Sequence, residues 1–256
     1  MNKKTVLLCV PALALGVAVL TSGPAFAATG DATYQGTLAS INGSNGSGTF
    51  SIKVSGDQAT VTQTVKGLAE TFDGKPYPHV QHIHIDAKGE CPTMAADTNG
   101  DGVISTTEGQ PSYGKIGTTL STSGDTSPAA GTDLTLAGMG ANYDYNRTFT
   151  LDAATAASLA AGTAVVVVHG LDPATLTKAA QDAKSDLVPS LPLAATSPAL
   201  CGALSASQAN MPDGGVGTGG GSTSSGADMG LLALGAGFLT AAGGAVMIRR
   251  RLTTRG

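Results

Sequence analysis

The chain has 256 residues, of which 12% are charged and 4% aromatic, and its formal net charge is −4. Proteins that bind nucleic acid carry a basic surface, so this acidic balance excludes nucleic acid as the expected partner. A chain of this length holds one or two domains, and the composition of its two ends leaves room for one.

The first 27 residues have the parts of a secretory signal peptide. Lys3 and Lys4 form a basic start, and an apolar run follows. Ala25 and Ala27 then place small residues at positions −3 and −1 of a cleavage site. We therefore expect a signal peptide over residues 1–27 and an exported protein.

The other end of the chain has the composition of a membrane anchor. Residues 211–228 are rich in Gly, Ser and Thr, as in a flexible linker. Residues 229–249 are mostly apolar and are long enough to cross a bilayer. The basic tail, residues 250–256, marks the cytoplasmic side. These features predict a single-pass membrane protein with its folded domain outside the cell, and the composition resembles that of Gram-positive surface proteins.

Residues 28–210 are expected to form one domain, which is mostly β. Alternating Val, Ile, Thr and Phe predict strands at 32–41, 48–54, 59–65, 82–85, 133–136, 147–151, 163–168 and 200–205. Helices are predicted at 152–160 and 173–185, the second with Asp172 as N-cap and Pro173 at its first position. Many short strands and few helices favour an antiparallel β-sandwich or barrel.

Three of the four histidines fall within six residues, at His79, His82 and His84. On a strand, His82 and His84 point to the same face. The fourth, His169, ends a β-branched run. Two or three imidazoles that arrive from different strand ends suit copper or zinc, so His82, His84 and His169 are candidate metal ligands. A hydrogen-bonded cluster of the three histidines without a metal is the alternative. The interpretation of His79 stays open between a further ligand, a residue behind the ligands and a surface residue.

Residues 97–108 match the twelve-position calcium loop, with Gly102 at the sharp turn. The expected ligands are five side chains and one backbone carbonyl, from Asp97, Asn99, Asp101, Ser105, Glu108 and Val103. The flanking residues lack the pattern of two amphipathic helices. We therefore expect an isolated calcium loop with a structural role, and a solvated acidic turn is the alternative.

Two cysteines lie outside the predicted signal peptide, Cys91 and Cys201. An even pair in an exported protein predicts one disulfide. Two free thiols are the alternative.

Four stretches of this domain resemble, in the same order, the copper/zinc superoxide dismutases: residues 65–70, 82–84, 166–172 and 200–204. The resemblance implies a Greek-key antiparallel β-barrel or sandwich with long loops. It also implies copper held by His82, His84 and His169, and a disulfide between Cys91 and Cys201.

The chain departs from that family at the rest of the site. No histidine lies between Cys91 and His169, so the family's zinc ligands and its bridging histidine are absent. Residues 197–200 contain no arginine, although the family has one just before its last cysteine to attract superoxide. We therefore expect an incomplete, copper-like site whose enzymatic turnover stays an open question. We also hypothesise that calcium replaces zinc in holding the long loop.

A second resemblance is to the chordin-type (CHRD) domain. The stretch from Leu159-Ala-Ala-Gly162 to His169 is similar to a late strand of that domain, which also has a His-x-His pair. This resemblance implies a non-catalytic binding or structural module without a transition metal. The domain's usual closing strand is not evident, and the cysteine pair fits the dismutase pattern better. No residue pattern indicates a particular protein partner.

Overall fold

The computed structural model describes residues 31–207. The predicted signal peptide, linker, transmembrane segment and basic tail all lie outside the described residues. Within residues 31–207, no helix has both the length and the apolar character needed to cross a membrane.

The described part of the chain is mostly β-strand, and five of its strands have only two residues. The strands in chain order are β1 (Ala32–Ser40), β2 (Ser47–Ser55), β3 (Gln58–Lys66), β4 (Thr71–Phe72), β5 (Lys75–Pro76), β6 (Pro78–His79), β7 (Gln81–Ile85), β8 (Lys115–Thr119), β9 (Gly138–Met139), β10 (Tyr143–Thr150), β11 (Val165–His169), β12 (Pro198–Ala203) and β13 (Ser205–Ala206). The α-helices are α1 (Thr106–Tyr113), α2 (Ala153–Ala161), α3 (Lys178–Asp182) and α4 (Leu193–Thr196). Short 3₁₀ helices lie at Met94–Ala96, Pro128–Thr132, Leu134–Leu136 and Pro173–Thr175.

Nine strands form one antiparallel sheet in the order β10-β3-β2-β1-β12-β11-β7-β8, with β13 also paired to β1. Two small sheets, β4-β5 and β6-β9, lie outside it. The prediction of an antiparallel β domain with few helices is confirmed.

The sheet curls into a half-barrel, because strands that are distant in its order meet across the interior. Gln63 on β3 donates to the side-chain oxygen of Gln81 on β7 at 2.7 Å, although four strands lie between them. Arg147 on the end strand β10 donates to the carbonyl oxygen of Ser121, just beyond the other end strand, at 2.7 Å. The concave face encloses the main core, which includes Leu38, Phe50, Ile52, Val61, Ile83, Val166 and Leu200.

The strands β7 and β11 are buried on both faces. Ile83 and Val166 point into the main core. Side chains alternate along a strand, so His82 and His84 point away from that core. Val165 and Val167 also face this outer side, where they pack with Cys201 and Tyr113. Long loops cover the outer side, and the histidines are therefore buried although they lie outside the half-barrel.

Several predicted elements agree with the structure. The predicted helix at 152–160 corresponds to α2, and Asp152 caps it by accepting a hydrogen bond from the backbone N–H of Ala154. The three long N-terminal strands agree to within one residue at each end. The last of the predicted strands is observed as two, β12 and β13.

Two predicted elements were wrong in type or extent. Residues 133–136 form a 3₁₀ turn instead of a strand, since the Asp133 side chain accepts from the N–H of Thr135. The predicted helix at 173–185 is divided into a 3₁₀ turn and α3. The division arises because Leu176 and Thr177 are extended, and the Thr177 hydroxyl begins a new helix by accepting from Ala180.

Helices α1 and α4, the strand β8 and the two-residue strands β4, β5, β6 and β9 were not predicted. Helix α1 contains Gly109 and Pro111, which are poor helix formers, yet Ser105 and Glu108 form a complete capping box at its start. The strand β8 follows directly, and the prediction treated this region as a loop. The strand at Arg147 also begins earlier than predicted, at Tyr143.

Candidate metal centre

The structure brings three of the four histidines together on neighbouring strands. His82 lies opposite Val167, and His84 lies opposite Val165, in the antiparallel pair of β7 and β11. His169 ends β11, where the register to β12 shifts by an irregularity after Val168. One ring nitrogen of each histidine lies within 4.8 Å of one ring nitrogen of the other two, so the group can hold a metal ion.

Each of the three imidazoles has one nitrogen bonded to a backbone carbonyl. The pairs are His82 Nε2 with Gly131 at 2.9 Å, His84 Nδ1 with Gly114 at 2.8 Å, and His169 Nδ1 with Thr196 at 2.6 Å. A carbonyl oxygen only accepts, so in each ring the bonded nitrogen carries the proton. The other nitrogen then presents a lone pair. Backbone carbonyls behind histidines are a common way of orienting metal ligands.

The remaining nitrogens are buried and have no hydrogen-bond partner. They are His82 Nδ1, His84 Nε2 and His169 Nε2. A buried polar atom without a partner costs about 1–3 kcal/mol, so three of them facing one point favour the binding of a ligand there. A metal ion would accept all three lone pairs at once, and the donor set therefore fits copper or zinc.

Burial keeps these imidazoles neutral. It lowers the pKa of His84 to about 3, helped by the charge that His169 would carry, and against the hydrogen bond to Gly114. Burial likewise lowers the pKa of His169 to about 4. The pKa of His82 lies well below its ordinary value, first because of burial and then because of the other two imidazoles. All three lone pairs are therefore available at neutral pH.

Glycines supply two of the carbonyls that orient the rings, and the sequence analysis missed them. Gly114 has a φ of 93°, which is unfavourable for other residues, and a Cβ there would overlap the carbonyl oxygen of Ile85. At Gly131, a Cβ would lie 2.6 Å from the side chain of Ile116. Glycine is common in this chain, so its positions alone carried no signal.

A cavity of about 360 Å³ opens in front of the three histidines. Three segments enclose it: residues 114–116, 128–134 and 187–196. Its walls are mostly aliphatic. Lys115 is the one charged residue that lines it, and this lysine is paired with Asp86 at 2.8 Å.

His79 does not join the group. Its Nδ1 lies 2.9 Å from the carbonyl oxygen of His169, and its Nε2 lies 3.0 Å from that of Ala69. Burial lowers the pKa of His79, so the neutral ring donates to only one of these two carbonyls. Both nitrogens point at backbone oxygens and away from the other three histidines, and the ring is fully buried between Tyr77 and Tyr143. Because it contacts the backbone of His169, His79 lies behind the candidate ligands, which is one of the roles that the sequence left open.

The carboxylates of the calcium-like loop accept hydrogen bonds from the loop's own backbone. Asp97 accepts from Gly100 and Gly102, and Asp101 accepts from Val103. The acidic side chains of residues 97–108 do not form a group of three within 4.8 Å of one another, as the described histidines do. Calcium binding by this loop stays a prediction.

Glu108 ties the two ends of this loop together. Its carboxylate accepts hydrogen bonds from the N–H groups of Thr98, Asn99 and Ser105. Burial acts to raise its pKa, but these hydrogen bonds outweigh burial and leave the pKa below its ordinary value. Ser105 caps α1 in return, so two predicted calcium ligands also begin a helix.

Two further contacts attach the loop to the sheet. The predicted disulfide is present between Cys91 and Cys201, with 5.8 Å between the Cα atoms, and it links the segment just before the loop to β12. Asn42 was not predicted as a structural residue. Its side chain donates to the carbonyls of Ile104 and Pro198 and accepts from the N–H of Ile104.

No protein-family model matches this chain, and no curated protein compared with it is significantly similar. The dismutase and chordin-type resemblances therefore rest on the residues quoted for them.

Proposed function

We propose that this chain is a membrane-tethered cell-surface protein whose β domain binds copper through His82, His84 and His169. The observation that carries the proposal is the set of three buried, unpartnered imidazole nitrogens on adjacent strands. Imidazole holds both copper and zinc. The resemblance to the copper/zinc superoxide dismutases is the reason for preferring copper.

Within that proposal, the site binds copper without the features that favour rapid turnover of superoxide. The cavity in front of the histidines has one lining charge, Lys115, and Asp86 neutralises it. A small anion is therefore not attracted by a net positive field. The calcium loop has a supporting role in this proposal, because it holds the segment that leads from the disulfide into α1 and on to Gly114.

The test is a titration of the full chain, stripped of metal, with Cu(II) followed by calorimetry. We expect sub-micromolar binding of one copper ion. The double variant His82→Ala/His169→Ala should lose it, while His79→Gln, which keeps a side-chain donor beside the same carbonyls, should retain it. Circular dichroism of each variant checks that the sheet is intact.

The alternative function is a non-catalytic chordin-type surface module. Absence of copper and zinc binding by a correctly folded chain would overturn the proposal and favour this module. Copper binding that survives in the double variant would also overturn it. A superoxide assay on the copper-loaded chain then measures whether any turnover accompanies binding.

A further inference from the structure

The cavity beside the three histidines is large and apolar. Eight aliphatic or proline residues line it, and the larger ones among them are Val80, Ile116, Pro128, Leu134, Leu187 and Leu191. A water molecule takes up about 30 Å³ in the liquid, so a volume of about 360 Å³ corresponds to roughly a dozen waters. A ligand of one to three atoms would leave most of that space as water against apolar walls.

The two wall threonines that are not exposed, Thr106 and Thr196, have hydrogen-bond partners. The Thr106 hydroxyl donates to the carbonyl of Thr196, and the Thr196 hydroxyl donates to Ser185. Gln110 and Thr132 are exposed and face water. Among the lining residues, the three imidazoles are therefore the ones with buried, unpartnered polar atoms.

Exposed hydrophobic residues stand at the mouth of this cavity. In residues 31–207, four large hydrophobic side chains are conspicuously exposed: Met94, Leu134, Met139 and Leu187. Two of the four line the cavity, Leu134 at 38% exposure and Leu187 at 50%. Both would lose contact with water if an apolar molecule entered, which stabilises the bound state.

We propose that the cavity binds a small neutral molecule that has an apolar body and one lone-pair donor atom. The donor atom would complete the coordination of the metal, and the body would fill the space between the segments 128–134 and 187–196. A site of this kind is apolar, with a few polar atoms that fix orientation, and its volume is in the range of small-molecule sites. This inference rests on the proposed metal binding and adds the class of ligand.

Two probes with the same donor group separate this proposal from simple coordination. The copper-loaded full chain is titrated at pH 8 with imidazole and with 4-phenylimidazole, and binding is followed by the electron paramagnetic resonance and visible spectra of Cu(II). Burial of the phenyl ring in the cavity should make 4-phenylimidazole bind about 10- to 100-fold more tightly. Copper retained after desalting shows that neither probe has removed the metal.

Charged substitutions at the mouth locate the effect. Leu187→Asp and Leu134→Asp should each reduce the advantage of 4-phenylimidazole severalfold and leave imidazole binding unchanged. Met94→Asp and Met139→Asp are matched controls, because these residues are at least about as exposed as the two leucines and do not line the cavity. The controls should keep the full advantage.

The outcomes separate the two proposals. Equal affinity for both probes on a copper-loaded chain would overturn this inference and leave the proposed function intact. An equal loss in the mouth variants and the controls would also overturn it. A folded chain that retains no copper would overturn the proposed function, and the inference would fall with it.

Discussion

The Nδ1–H of His169 donates to the carbonyl oxygen of Thr196 at 2.6 Å, and this bond decides which nitrogen of the ring is free. Thr196 ends the short helix α4, in a segment that also forms a wall of the cavity. Thr196 therefore contributes to the wall of the cavity and also sets the orientation of the His169 ring. A change that moves α4 should alter the candidate metal site as well as the shape of the cavity.

The metal-free chain should lose stability as the pH falls from about 6.5 toward 5. In the folded chain burial lowers the pKa of His84 to about 3 and of His169 to about 4, whereas an unfolded histidine titrates near 6.5. The unfolded chain therefore binds more protons in this window, and acid favours unfolding. The contribution is fully present above about pH 6.5 and is lost as the pH falls toward the folded values.

Urea unfolding of the metal-free chain at pH 7.5, 6.0 and 5.0 measures this effect. The His82→Asn/His169→Asn variant should show a flatter dependence, because two of the buried imidazoles are gone. If the unfolding midpoint of the unsubstituted chain changed no more than that of the variant, the prediction would be wrong.

Gly114→Ala should weaken copper binding and lower stability together. An alanine Cβ would overlap the carbonyl oxygen of Ile85, so the backbone must move, and with it the carbonyl that orients His84. Loss of such a partner behind a ligand typically lowers metal affinity about 10- to 100-fold. Calorimetry of copper binding and thermal melts are the measurements.

Gly56→Ala is the matched control for that variant. Gly56 also has a positive φ, 60°, but a Cβ there meets nothing within 4 Å. It should cost about 1–2 kcal/mol through the left-handed backbone conformation and leave copper affinity unchanged. If Gly114→Ala behaved like Gly56→Ala in both measurements, the carbonyl of Gly114 would have no role in orienting His84.

Asn42→Ala should destabilise the domain by about 2–5 kcal/mol, because it leaves buried backbone groups of Ile104 and Pro198 without partners. The free energy of unfolding in urea measures the loss. Asn146→Ala is the control on an exposed strand position and should change stability by less than about 0.5 kcal/mol. Similar values for the two variants would contradict the structural role of Asn42.

Removal of calcium should lower the melting temperature if residues 97–108 bind this ion, since a ligand that binds only the folded state stabilises it. Thermal melts with added Ca²⁺ and with a chelator test this. Asp97→Ala should abolish the difference. Glu108 is a poorer choice for the test, because it also caps α1 and its loss destabilises the helix without any metal. An unchanged melt would contradict both the calcium prediction and the idea that calcium replaces zinc.

Local patterns predicted the parts of the structure that depend on neighbouring residues. The alternation His82-Ile83-His84 placed the two histidines on one face, and the structure has Ile83 in the main core and both imidazoles on the opposite side. Asp152 predicted the start of α2. Helix α1 was missed because Pro111 and Gly109 lower helix propensity, and the capping box and Tyr113 packing override them.

By itself the sequence determined the β character of the domain, the candidate ligands His82, His84 and His169, and the pairing of Cys91 with Cys201. These follow from residue types and short-range periodicity. Only the tertiary structure decided which nitrogens are free, because the carbonyls that orient the rings lie 27 to 49 residues from them along the chain. It also decided that the three-histidine group faces an apolar cavity, since three separate segments enclose that space. Contacts of this range depend on how the sheet curls and where the loops pack, and no local pattern carries that information.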